Sequence, residues 1–131
     1  MITAVDVSVL LDLFLSESPH HAESRERMRA AYDAGAVVAC DVVYAELVPA
    51  FRDRAGLDHA LRDINVAAVS LNTAIAYEGG LRWKRYREAG GPRARVIPDF
   101  LIGAHAVVAA DAFLTRDRGF YRTYFPELRQ P

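Results

Sequence analysis

Four short apolar runs, residues 2–5, 36–40, 66–71 and 112–115, alternate with longer stretches of helical spacing, and this alternation limits the fold more than any other feature of the chain. Runs without polar alternation read as strands covered on both faces. Strands alternating with helices imply a parallel sheet with helices on each side. The 131 residues, just over half of them hydrophobic, predict one domain over residues 1–131 with a real core. In such folds ligands bind at the carboxyl ends of the strands.

Between the runs, Val9, Leu10, Leu13 and Phe14 keep helical spacing within residues 8–15. Pro19 opens a second helix, rich in Glu and Arg, that Gly35 ends. Asp41 is a plausible N-cap for a helix over residues 42–54, broken by Gly56, with a short helix following over 57–64. Asn72 or Thr73 caps a long helix to about Glu88, and Ala89-Gly90-Gly91-Pro92 breaks the chain. Pro98 opens an apolar helix through Ala109. The last residues hold one helical turn and room for a short fifth strand near residues 127–129.

Formal net charge is −1 and the pI is near 6.4, so any nucleic-acid site must be a local patch. Cys40 is the only cysteine, which excludes an internal disulfide and a multi-cysteine zinc site and suits a reducing cytosol. No basic segment precedes the first apolar run, and no apolar stretch is long enough to span a bilayer. The expectation is a soluble, cytoplasmic protein with no membrane partner.

Against this background four acids stand out. Asp6 closes the first apolar run, Asp117 follows the last, and Glu46 and Asp99 lie in apolar helical segments on or beside the inward face. Carboxylates are rarely buried unpaired. Two of them ~4 Å apart repel by about 4 kcal/mol at an effective dielectric near 20. Four clustered acids must therefore bind cations or hold protons, and oxygen-only ligands point to Mg²⁺, with Mn²⁺ as the alternative. Taken singly, each has a plainer reading: Asp6 and Asp99 as turn or cap residues, Asp117 as a turn with local ion pairs, Glu46 as the partner of an Arg. The joint pattern carries the metal reading.

That pattern, in Val5-Asp6-Val7-Ser8-Val9-Leu10-Leu11, Tyr44-Ala45-Glu46-Leu47, Pro98-Asp99-Phe100-Leu101-Ile102-Gly103 and Leu114-Thr115-Arg116-Asp117-Arg118-Gly119-Phe120, resembles the four motifs of the PIN domain. The likeness covers nearly the whole chain and is closest to the single-domain VapC-type toxins of bacterial toxin–antitoxin pairs. It implies a three-layer α/β/α sandwich around a parallel sheet of four or five strands. It implies that Asp6, Glu46, Asp99 and Asp117 are catalytic and carry metal, with Ser8 and Thr115 supporting them. It also implies Mg²⁺-dependent RNA hydrolysis leaving a 5′-phosphate and a 3′-hydroxyl, a cognate antitoxin and a homodimer. The family usually adds a strand after the last motif, and residues 127–131 leave little room for one.

Arg116 and Arg118, flanking Asp117, are better placed to touch an RNA phosphate, with surface ion pairing as the alternative. Arg85 and Arg93 belong to a basic stretch interleaved with Trp83 and Tyr86 that could hold phosphates and stack a base, or could simply form a solvated helix face. His20, His21, His59 and His105 read as surface or core histidines, Cys40 as inert packing, and Phe14, Phe51, Tyr77 and Trp83 as core or interface aromatics. An alternative reading is a non-catalytic RNA-binding or regulatory module on the same fold, which loss of an acid would have favoured. An aspartyl-phosphate enzyme is disfavoured because Ser8 stands where a second Asp is usual, and no Gly-rich phosphate loop is present.

Overall fold

A computed structural model describes residues 1–92 and 96–131. The first apolar run forms β1 (Ile2–Val5), followed by α1 (Val7–Phe14) and α2 (His21–Ala34). Next come β2 (Ala36–Cys40), α3 (Asp41–Leu47), a 3₁₀ turn (Val48–Ala50), α4 (Arg54–Asp63) and β3 (Val66–Val69). The long α5 (Thr73–Glu88), α6 (Ile97–Ala109), β4 (Ala112–Leu114) and α7 (Arg118–Tyr124) complete the order. The strands form one parallel sheet in the order β3-β2-β1-β4, flanked by the helices as an α/β/α sandwich.

Strand order is what positions the site. From β1 the chain steps outward through β2 to β3, then returns to place β4 on the other side of β1. Thr3 pairs with Val37 on one side and Ala112 on the other. The reversal lies between β1 and β4, and a crevice opens at the carboxyl ends of strands flanking such a switch. Val5, Val9, Leu10, Phe113 and Leu114 are fully buried beneath it. Phe100, Phe120, Tyr121 and Phe125 pack edge-on and tilted, with ring centroids 4.9–6.3 Å apart, and seat α6 and α7 against each other.

Several boundaries differ from the sequence expectation. The helix expected over 42–54 ends at Leu47, because Pro49 has no amide N–H and the chain tightens into the 3₁₀ turn. Gly56 does not break a helix: it lies in the first turn of α4, and its N–H donates to the capping carboxylate of Asp53 at 2.8 Å. Asp41 is the first residue of α3 rather than its cap, and its carboxylate accepts the Leu71 N–H at 3.3 Å. The fifth strand does not form among the described residues. One backbone hydrogen bond, Phe113 N–H to the Arg129 carbonyl at 2.7 Å, holds that segment beside β4. Tyr77, expected in a core or interface, is 73% exposed.

Candidate active site

The site grows from the end of β1. The Asp6 amide is the last sheet contact, donating to the Leu114 carbonyl at 2.9 Å. The backbone then turns into α1, leaving the Asp6 side chain as its cap, with one carboxylate oxygen accepting the Val7 N–H at 2.8 Å. The partial positive charge of a helix start favours an acid here. The second oxygen accepts the Thr115 hydroxyl at 2.7 Å, and that hydroxyl in turn accepts the Asp117 N–H at 3.0 Å. Thr115 is fully buried just beyond β4, so one hydroxyl fixes the spacing between the acids that follow β1 and β4.

Two further acids reach this edge from helices. Asp99 lies in the first turn of α6, where its carboxylate accepts the Val96 N–H at 3.4 Å. Glu46 stands on the solvent-facing side of α3. Burial pushes the Asp6 carboxyl above its ordinary value of 3.8 and the charges of Asp99 and Asp117 add to the shift, while the Thr115 and Val7 hydrogen bonds work against it. Desolvation, then the charges of Asp6 and Asp99, push Glu46 up as well. Tyr121, buried on α7 with its hydroxyl donating to the Asp99 carbonyl at 3.4 Å, is raised first by burial and then by all four carboxylates. One phenol that senses Asp6, Glu46, Asp99 and Asp117 together shows that they share one electrostatic neighbourhood.

Among the described residues, no three carboxylate, imidazole or thiol side chains stand in a geometry that would enclose a single ion. Among the described residues no Lys or Arg pairs with Asp6 or Glu46. An all-oxygen set whose carboxyls are raised first by burial and then by one another's charge fits a hard divalent cation, which would relieve that repulsion.

The two arginines that flank Asp117 take the ion-pair alternative. Arg116 is committed to Asp12 on α1, with Nε at 2.7 Å and a terminal nitrogen at 3.2 Å from its two oxygens. Arg118 pairs with Glu23 on α2 at 3.2 Å. Arg85 is exposed in the last turn of α5, and Arg93 lies outside the described residues. Ser8 acts on the loop backbone, its hydroxyl accepting the Arg116 N–H at 3.4 Å. Arg87 lies 4.9 Å over the half-buried Trp83 ring. Burial lowers His105 and raises the Cys40 thiol, which suits packing roles for both.

Sequence reading missed Asp12 and Tyr121. Asp12 is 2% exposed, yet besides Arg116 it accepts the Ser18 hydroxyl at 2.8 Å and the Ser24 hydroxyl at 2.6 Å. Burial works to raise its pKa, but these donors outweigh it and hold the carboxyl below 3.8. The available signal was an acid inside the otherwise apolar Val7–Phe14 helix.

Comparison with curated protein sequences gives no match. Among solved structures, the fold is similar to a chain of VapBC2 from Rickettsia felis bound to a promoter DNA fragment, with TM-score 0.76 and 13% identity over 98% of this chain and 96% of that one. It is similar to a chain of VapBC-1 from nontypeable Haemophilus influenzae, with TM-score 0.68 and 20% identity over 98% and 96%. It is also similar to VapC20 of Mycobacterium tuberculosis, a sarcin–ricin-loop-cleaving toxin, with TM-score 0.65 and 15% identity over 97% and 98%. Residues 3–126 match the PIN domain, a span that includes all four acids, so the chain belongs to the PIN domain family.

Proposed function

We propose that this chain is a Mg²⁺-dependent endoribonuclease and the toxin of a type II toxin–antitoxin pair, with Mn²⁺ as a substitute metal. The observation that carries this reading is the convergence of Asp6, Glu46, Asp99 and Asp117 on one neighbourhood at the β1/β4 edge, with no described basic side chain on Asp6 or Glu46. Membership of the PIN family and the fold likeness to VapC-type chains support the toxin assignment. A cognate antitoxin and a homodimeric state belong to the same reading.

When bound, a divalent cation there would polarise the scissile phosphodiester and lower the pKa of an attacking water. Asp6, Glu46, Asp99 and Asp117 would hold it, and one of them would orient the water or take its proton. Thr115 keeps the Asp6 oxygen and the Asp117 backbone in fixed relation. With Arg116 and Arg118 engaged by Asp12 and Glu23, the exposed Arg85 is a candidate to meet RNA phosphates.

The test is cleavage of a mixed RNA pool by the purified protein in Mg²⁺, beside Asp6→Asn prepared identically. The expected result is cleavage lost on chelation and in the variant. Equal cleavage by the variant removes the assignment. RNA binding that survives Asp6→Asn, with no cleavage by either protein, favours the non-catalytic RNA-binding module.

A further inference from the structure

The buried carboxylate of Asp12 has no part in the acid cluster, yet it is the most heavily coordinated acid described in the molecule. Its oxygens accept the Ser18 and Ser24 hydroxyls at 2.8 and 2.6 Å and the Arg116 guanidinium at 2.7 and 3.2 Å. Ser24 is fully buried and Asp12 is 2% exposed. An ion pair with one buried and one solvent-facing partner gives little net stability, because desolvation of the buried carboxylate offsets most of the attraction. It does fix geometry, since a guanidinium held through two of its nitrogens has little freedom left.

What it fixes is the loop that carries an acid. Arg116 stands between Thr115 and Asp117. Its N–H meets the Ser8 hydroxyl at 3.4 Å, while the Asp117 N–H meets Thr115, whose hydroxyl is on Asp6. A continuous set of contacts thus runs from α1 and α2 through Arg116 to the spacing of Asp6 and Asp117. Arg118 is tied to α2 by Glu23 in the same sense. The Arg116 guanidinium acts on Asp12 by hydrogen bond and by charge, and both hold that carboxyl down.

We infer that Asp12 is a positioning residue: through Arg116 it locks the 115–117 loop so that Thr115 and Asp117 meet Asp6 in the geometry that binds the metal. This rests on the metal-dependent nuclease reading. The alternative it displaces is Arg116 as a direct phosphate clamp.

The experiment is a Mn²⁺ titration followed by electron paramagnetic resonance, with kcat and KM for RNA cleavage in Mg²⁺, on the full chain, Asp12→Asn, Arg116→Met and the double variant. All are measured below their melting temperatures. Each single variant is expected to weaken Mn²⁺ binding about 10–100-fold and to lower kcat comparably, with KM within about twofold. The double variant is expected to lose no more than either single, because the two residues act as one unit. Wild-type Mn²⁺ affinity and kcat in Asp12→Asn overturn the inference while leaving the nuclease reading intact. So does a raised KM with unchanged Mn²⁺ affinity in Arg116→Met, the signature of a phosphate clamp. Absence of Mn²⁺ binding and of cleavage in the unmodified chain overturns the nuclease reading and this inference with it. Should Asp12→Asn not fold, Arg116→Lys takes its place, since lysine keeps the charge but cannot donate the paired contacts. The same loss is then expected, and wild-type behaviour overturns the inference.

Discussion

Asp6 joins electrostatics to catalysis at the scale of a single residue. Its carboxyl is raised above 3.8 in the folded protein, so the folded state holds the Asp6 proton more tightly than the unfolded chain does. With the metal absent, the contribution of Asp6 to stability is fully present below 3.8 and is lost as pH rises through the folded-state value. Asp6→Asn removes that loss and keeps an oxygen for Thr115. Metal-free Asp6→Asn should therefore melt above the unmodified protein at neutral pH, and the gap should close on acidification, as paired thermal melts in chelator across pH would show. Thr115→Val strips the hydroxyl that Asp6 and the Asp117 N–H share. It should cost about 1–3 kcal/mol in urea unfolding and lower cleavage roughly 10–100-fold. Asp6 and Asp117 are legible in sequence because each follows an apolar run, whereas Glu46 faces solvent on α3 instead of the inward side expected of it. Asp12 stands inside an apolar helix, but its partner Arg116 lies 104 positions away, and no local spacing marks such a pair.

Among elements, the strands and the long helices follow directly from apolar runs and caps. Asn72 caps α5 through the Ile75 N–H at 2.9 Å, as its side chain and position lead one to expect. Errors fall where a local signal competes with a tertiary one. Gly56 looks like a breaker, yet Pro49 had already ended α3, and Asp53 starts a new helix across the glycine. Residues 127–129 carry a strand-like remnant because Phe113 offers one free N–H, but Arg82 grips Glu127 through paired contacts at 2.6 and 2.8 Å and anchors the segment to α5. The seating of α6, which carries Asp99, depends on Gly103. A methyl group there would stand 2.5 Å from the ring of the fully buried Phe125. Gly103→Ala should cost about 1–3 kcal/mol in denaturant unfolding, because the ring has nowhere to move.

At the level of the whole molecule, the parallel order β3-β2-β1-β4 brings residues from both ends of the chain to one edge. Burial, and after it the charges of neighbouring acids, pushes Asp6 and Glu46 up there. Near-zero net charge conceals this separation, since Arg82, Arg116 and Arg118 are each neutralised locally by Glu78 and Glu127, Asp12 and Glu23. Among the described residues, no helix is long and apolar enough to cross a membrane. The fold class and the positions of Asp6 and Asp117 were legible together because both follow from where apolar runs stop. The loop's tether and the C-terminal anchor were not, because each depends on pairs that meet only after folding. The central claim is that the four acids form a divalent-metal centre. Anomalous diffraction at the manganese edge, from crystals grown in Mn²⁺, tests it most directly. The account predicts a peak between Asp6, Asp99 and Asp117 within reach of Glu46, absent in Asp6→Asn; a map with no peak at that edge in the unmodified protein would contradict it.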